Sequence, residues 1–164
     1  MILSSECISK LLAHSNTIFS FRAECLAFLG RYKEAQEVAN DILRNDSTNI
    51  EAIYIRGLCL YYEDNIDKAF THFQQVLKLA PDHGKAKEAF KRARNLKTKK
   101  DEGNEAFKAC KYDEALKLYT EALQVDPENK ITNSKLYFNR AAVSAKVTLI
   151  SKSCSKHYAR IKRF

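Results

Sequence analysis

Four histidines and five cysteines are the side chains best able to carry chemistry in this chain of 164 residues. His14, His72, His83 and His157 have no Ser, Asp or Cys neighbour in a nucleophile motif, and no Gly-rich phosphate-binding loop occurs. Cys154 and His157 have the spacing of half a zinc site, but no second Cys/His pair matches it. Neither a metal nor another cofactor is expected, and the chain is not read as an enzyme. His72 and His83 are expected to flank helix ends. The paired acids Glu63-Asp64 and Asp101-Glu102 are likewise placed at helix ends, where capping and solvation account for them. Cys7, Cys25, Cys59, Cys110 and Cys154 form an odd, scattered set inside apolar patterns. They read as reduced thiols of a cytoplasmic or nuclear protein.

The chain is 45% hydrophobic and 29% charged, with only two Pro and four Gly. That apolar share can build a core, and so few breakers favour helices over many short strands. No apolar run approaches the roughly 18 residues of a membrane span, and no basic segment precedes a compact apolar block at the start, so no membrane association is expected. The net charge of +8 is unevenly placed. Gly84 to Lys100 holds eight basic residues and one acid, and Lys146 to Phe164 holds six basic residues and no acid, so the remainder is net acidic. Such runs could neutralise phosphates. Without an RNA-binding aromatic motif or a helix-turn-helix, the first is read as a solvated helix face and the second as a loosely ordered tail, and no specific nucleic acid is expected.

Internal repetition sets the architecture. Ala23, Gly57 and Gly103 are each followed twelve residues later by Ala35, Ala69 and Ala115; Phe73 and Tyr119 come four residues after that, and Pro81 and Pro127 close the second and third units. All markers shift together, by 34 residues and then by 46, so the extra twelve form one block, Gly84 to Asn95. The units are 16–49, 50–83 and 96–129, each two antiparallel helices. In the second, the helices are predicted over 51–63 and 67–79, with Gly57 facing Ala69 where they cross and Pro81 fixing the exit. The spacer 84–95 runs on into the third unit as one helix over about 85–109, with Ala86, Ala89, Phe90 and Ala93 as its apolar stripe. Residues 1–15 are an unmatched lead that can hold a partial helix. NSKLYFNRAAVSAK begins a partial fourth unit, taken as 134–146, and 147–164 is a basic divergent tail. Stacked hairpins of this kind predict an all-α helical-hairpin solenoid, a right-handed superhelix with a concave groove lined by each first helix.

The small, Ala, aromatic and Pro pattern at a period of 34 resembles the tetratricopeptide repeat (TPR) and covers about 16–146. The wording FRAECLAFLGRYKEAQEVANDILRNDSTN and DEGNEAFKACKYDEALKLYTEALQVDPEN is similar to the middle TPR region of J-domain co-chaperones. The resemblance implies a co-chaperone adaptor that binds heat-shock chaperones of the seventy and ninety classes through their acidic C-terminal tails, with client proteins as further partners. No His-Pro-Asp motif is present, so the J domain is not in this sequence, and with the divergence after Lys146 a truncated or spliced form is expected.

In that family a clamp of Lys and Asn grips the terminal carboxylates of the tail. The resemblance assigns Lys100 and Asn104, four apart on one helical face, to its first pair and Asn139 to the next repeat, with Arg140 and Lys135 flanking. A Lys supplies a point charge, and an Asn amide can donate to a carboxylate oxygen. The clamp's last Lys/Arg pair has no counterpart here, and each missing charge-assisted contact removes about 1.5 to 3 kcal/mol. One alternative is a general scaffold taking a partner helix in the groove of the first two units, near Arg22, Glu24, Arg56 and Tyr61. Another is a basic nucleic-acid or membrane-surface binder acting through spacer and tail.

Overall fold

The computed structural model describes residues 5–161, with side chains described for 17–152. Seven helices follow one another: α1 (Ser5–Phe28), α2 (Tyr32–Asn45), α3 (Ile50–Tyr62), α4 (Ile66–Leu79), α5 (Gly84–Lys108), α6 (Tyr112–Val125) and α7 (Lys130–Ile161). No strand occurs among the described residues. The all-α, helical-hairpin class is thus what the chain adopts, and the predicted bounds of α3, α4 and α5 fall within a residue of those observed.

The chain divides into two compact units, 1–93 and 94–164. In unit 1, α1 pairs with α2 and α3 with α4, and the first part of α5 buries Ala86, Ala89 and Ala93. Phe90 meets Phe70 edge-on, with ring centroids 5.3 Å apart. In unit 2 the remainder of α5 pairs with α6, and α7 follows.

The second helix of each hairpin is amphipathic because its apolar residues recur at intervals of three and four. Ala35, Ala39 and Ile42 in α2, Ala69, Phe73 and Val76 in α4, and Ala115, Tyr119 and Ala122 in α6 are all buried, in one register. What crowds Gly57 differs from the expectation. A Cβ there would lie 2.8 Å from the Phe73 ring and 3.1 Å from His72 Cβ, so the close approach is to Phe73 and not to Ala69. Gly103 repeats the arrangement, with Tyr119 at 2.8 Å. The ring fills the space that a larger residue on the first helix would take.

The three hairpin turns share one mechanism. Gly30, Asp64 and Cys110 have φ of 77°, 62° and 59°. Each is the left-handed residue of a Schellman motif, in which the next N–H returns to a carbonyl five residues back: Arg31 to Leu26, Asn65 to Leu60 and Lys111 to Ala106, at 2.8 to 2.9 Å.

Between hairpins, the helices α3, α5 and α7 are capped in register too. The side-chain oxygens of Asn49 and Asn129 accept from Ala52 N and Thr132 N, both at 3.1 Å. At the corresponding start of α5 the acceptor is His83 Nδ1, 3.0 Å from Ala86 N. An accepting Nδ1 leaves the proton on Nε2, which faces Glu51 Oε1 at 3.3 Å.

Several expectations are corrected. His72 lies in the middle of α4, half-buried, and not at a helix end. Asp101-Glu102 sit within α5, which runs on uninterrupted because the block 84–95 contains no Pro, and Asp101 faces Lys97 at 3.5 Å. Helix α7 carries the tail, expected to be loosely ordered, on as helix to Ile161, while α1 begins at Ser5, inside the unmatched lead. The half zinc site at Cys154 and His157 lies outside the described side chains. Within them there is no group of three metal-ligating residues and no helix long and apolar enough to cross a membrane.

Candidate functional site

In unit 2, Lys100, Asn104 and Lys108 recur every four residues and so follow one line along α5. Asn104 and Asn139, 35 positions apart, meet at a pocket of about 350 Å³ lined also by Phe107, Lys108, Tyr119 and Ala142. Asn139 Nδ2 donates to Asn104 Oδ1 at 3.3 Å, and Tyr119 Oη donates to the same oxygen at 2.8 Å. With its oxygen engaged twice, the Asn104 amide is held in one orientation, leaving its NH₂ as the group able to donate to a ligand. Burial pushes the Tyr119 phenol above its usual range although hydrogen bonding to Asn139 pulls it down, so it stays a donor at neutral pH.

The cations around the pocket differ in their engagement. Lys108 Nζ lies 2.8 Å from Glu105. Lys99 Nζ lies 2.6 Å from Glu121; that hydrogen bond raises the lysine's pKa and lowers the carboxylate's. Lys100 is half-buried one turn before Asn104. Arg140 places its guanidinium 5.9 Å from the centre of the Tyr137 ring, in cation-π contact, and is not among the pocket's walls. The structure therefore joins Asn104 and Asn139 directly and adds Lys108, Phe107 and the Tyr119 hydroxyl. The regular spacing of Lys100, Asn104 and Lys108 was the signal for Lys108. A hydroxyl on the repeat's aromatic position was the signal for Tyr119.

The candidates in unit 1 are placed differently. Arg22 is exposed on α1. Glu24 is taken by Lys85 at 2.7 Å. Arg56 is half-buried and adds to the burial that lowers the His72 pKa. Tyr61 is 1% exposed, with the Arg92 guanidinium 5.7 Å from its ring centre, so that ring is part of the core and not a groove wall.

Residues 50–83 and 97–129 match the tetratricopeptide repeat, and with the hairpins described above they make this a TPR protein. The chain is 55% identical over 144 residues to human DnaJ homolog subfamily C member 7, covering 86% of this chain and 29% of that protein. It is 45% identical over 122 residues to the DnaJ homolog subfamily C member 7 homolog of Schizosaccharomyces pombe (74% and 26%), and 41% over 132 residues to that of Dictyostelium discoideum (80% and 24%). The chain spans under a third of the length of these relatives.

Proposed function

We propose that unit 2 binds the acidic C-terminal tail of a heat-shock chaperone of the seventy or ninety class, the chain acting as a co-chaperone adaptor and not as an enzyme. The repeats support the coarser role, that of a protein-interaction module. The finer one is supported by the meeting of the Asn104 and Asn139 amides at one pocket beside Lys108. Two amides and a flexible ammonium suit a terminal carboxylate pair, and the Phe107 ring and Ala142 offer an apolar wall beside them. The Lys108–Glu105 pair is exposed on both sides, so Glu105 competes weakly with an arriving carboxylate.

The test is calorimetric titration of the full chain with a chaperone-tail peptide bearing a free C-terminal carboxylate, and with the same peptide amidated. A loss of about ten- to a hundredfold on amidation, matched by Asn139→Ala, is the expected result. Equal affinity for both peptides overturns the reading.

A further inference from the structure

Helix α7 presents a second face, separate from the pocket. Ser134, Tyr137, Ala141, Ser144 and Thr148 recur at intervals of three and four, the spacing of a seam between packed helices, and all are exposed. Tyr137 is 59% exposed, and none of the described residues buries this seam. Helix α5 has a matching seam at Leu96, Lys99, Gly103 and Ala106, with the same three-four-three spacing, and there α6 is seated: Tyr119 lies over Gly103 and Glu121 holds Lys99. The two seams are in register, since Gly103 immediately precedes Asn104, Ala141 immediately precedes Ala142, and Asn104 and Ala142 line one pocket.

We infer that this α7 seam is a docking surface for an acidic amphipathic helix carrying a small side chain where it crosses Ala141. Two observations choose that occupant. The first is charge: between Lys130 and Lys152, which stand in line at the two ends of the seam, α7 holds Lys135, Arg140 and Lys146 and no acid. A partner helix with carboxylates complements it, whereas a second copy of α7 would be repelled. The second is size. The ring of Tyr119 reaches to 2.8 Å of a Cβ position on Gly103, a separation that the real Cβ of Ala141 forbids. In the first hairpin, where the equivalent residue is Ala23, the position corresponding to Phe73 is Ala39, and both alanines are fully buried. An Ala on the first helix therefore goes with a small residue on the second.

The seam's hydroxyls suit a helix surface, since Ser134 and Thr148 bond to Ile131 O and Ser144 O of their own helix. Their polar atoms are satisfied before a partner arrives.

A helix-stapled peptide of residues 32–45, net acidic with Ala39 at its crossing point, is the probe, added to the isotope-labelled full chain and followed by amide chemical shifts. Shifts at Ala141, Ser144 and Thr148, weakened at least about tenfold by Ala141→Leu and by the double change Lys130→Glu with Lys152→Glu, are expected. Circular dichroism of these exposed-site variants confirms that α7 is intact. No shift on the seam at about 1 mM peptide overturns the inference. So do shifts confined to the Asn104 pocket, self-association of the chain through the seam, or uptake of the seam by phosphatidylserine vesicles in preference to the peptide.

Discussion

Asn104 Oδ1 accepts two hydrogen bonds, from Tyr119 Oη at 2.8 Å and from Asn139 Nδ2 at 3.3 Å, so a residue of α6 and one of α7 together orient a side chain of α5. Tyr119 is therefore a positioning residue for the pocket as well as the ring that packs on Gly103. Tyr119→Phe keeps the ring and removes the donor. We expect a stability loss of about 1 kcal/mol and a several-fold weaker grip on a carboxylate peptide. The discriminating readout is the ratio of affinities for free-acid and amidated peptide, which should shrink in the variant; an unchanged ratio would leave Tyr119 with a packing role alone.

Gly57 and Gly103 offer a test of the crossing geometry. In mid-helix, Gly→Ala ordinarily gains about 1 kcal/mol. Here the new methyl would stand 2.8 Å from Phe73 or Tyr119, and overpacking of that kind costs about 1 to 3 kcal/mol. Gly57→Ala and Gly103→Ala are both expected to lower the urea midpoint. Gly57→Ala combined with Phe73→Leu should show a favourable coupling in a double-mutant cycle; additive losses would sink this account.

The turn at Cys110 should be improvable. A non-Gly residue in the left-handed region carries about 1 kcal/mol of strain, and the corresponding position of the first hairpin is Gly30. Cys110→Gly is expected to raise the melting temperature, and Gly30→Ala to lower it. The Cys110 side chain is exposed, so no core contact offsets the gain.

Acid should weaken unit 1 through His72. Burial first, and then the nearby Arg56 charge, hold its pKa below the usual 6.5, and its buried Nδ1 has no hydrogen-bond partner. The folded state thus favours the neutral ring, while the unfolded chain takes up the proton at its ordinary pKa. Stability is full above about 6.5 and falls as the pH drops below it toward the folded-state value. Thermal melts at about pH 7.5 and pH 5 check this. His72→Gln should lose less stability between the two than the natural chain, and identical losses would count against the mechanism.

The repeat markers could be read from the sequence because packing makes them recur: Gly57 and Gly103 need their rings, and both rings keep one spacing. The end of α4 followed, since Pro81 is a local signal for a stop. Asn104 and Asn139 stand out in the sequence through the family resemblance. That Tyr119 turns its hydroxyl toward Asn104 was not legible, because a repeat pattern records a ring and not the direction of its polar end. Tyr61 reads from the sequence as a groove residue although it faces inward, since three adjacent residues, Leu60, Tyr61 and Tyr62, blur the apolar stripe. The repeat pattern stops at Lys146 and α7 does not, because a helix needs only backbone hydrogen bonds and no Pro to continue.

The choice of His83 at the start of α5 has a consequence in tautomerism. Asn49 and Asn129 cap their helices with amide oxygens, each with two lone pairs to offer. His83 caps with a ring nitrogen that has a single lone pair, so the bond to Ala86 N selects one of the two neutral rings. Of these three capping bonds, the one that opens α5 is the one that also decides which nitrogen of a side chain carries the hydrogen.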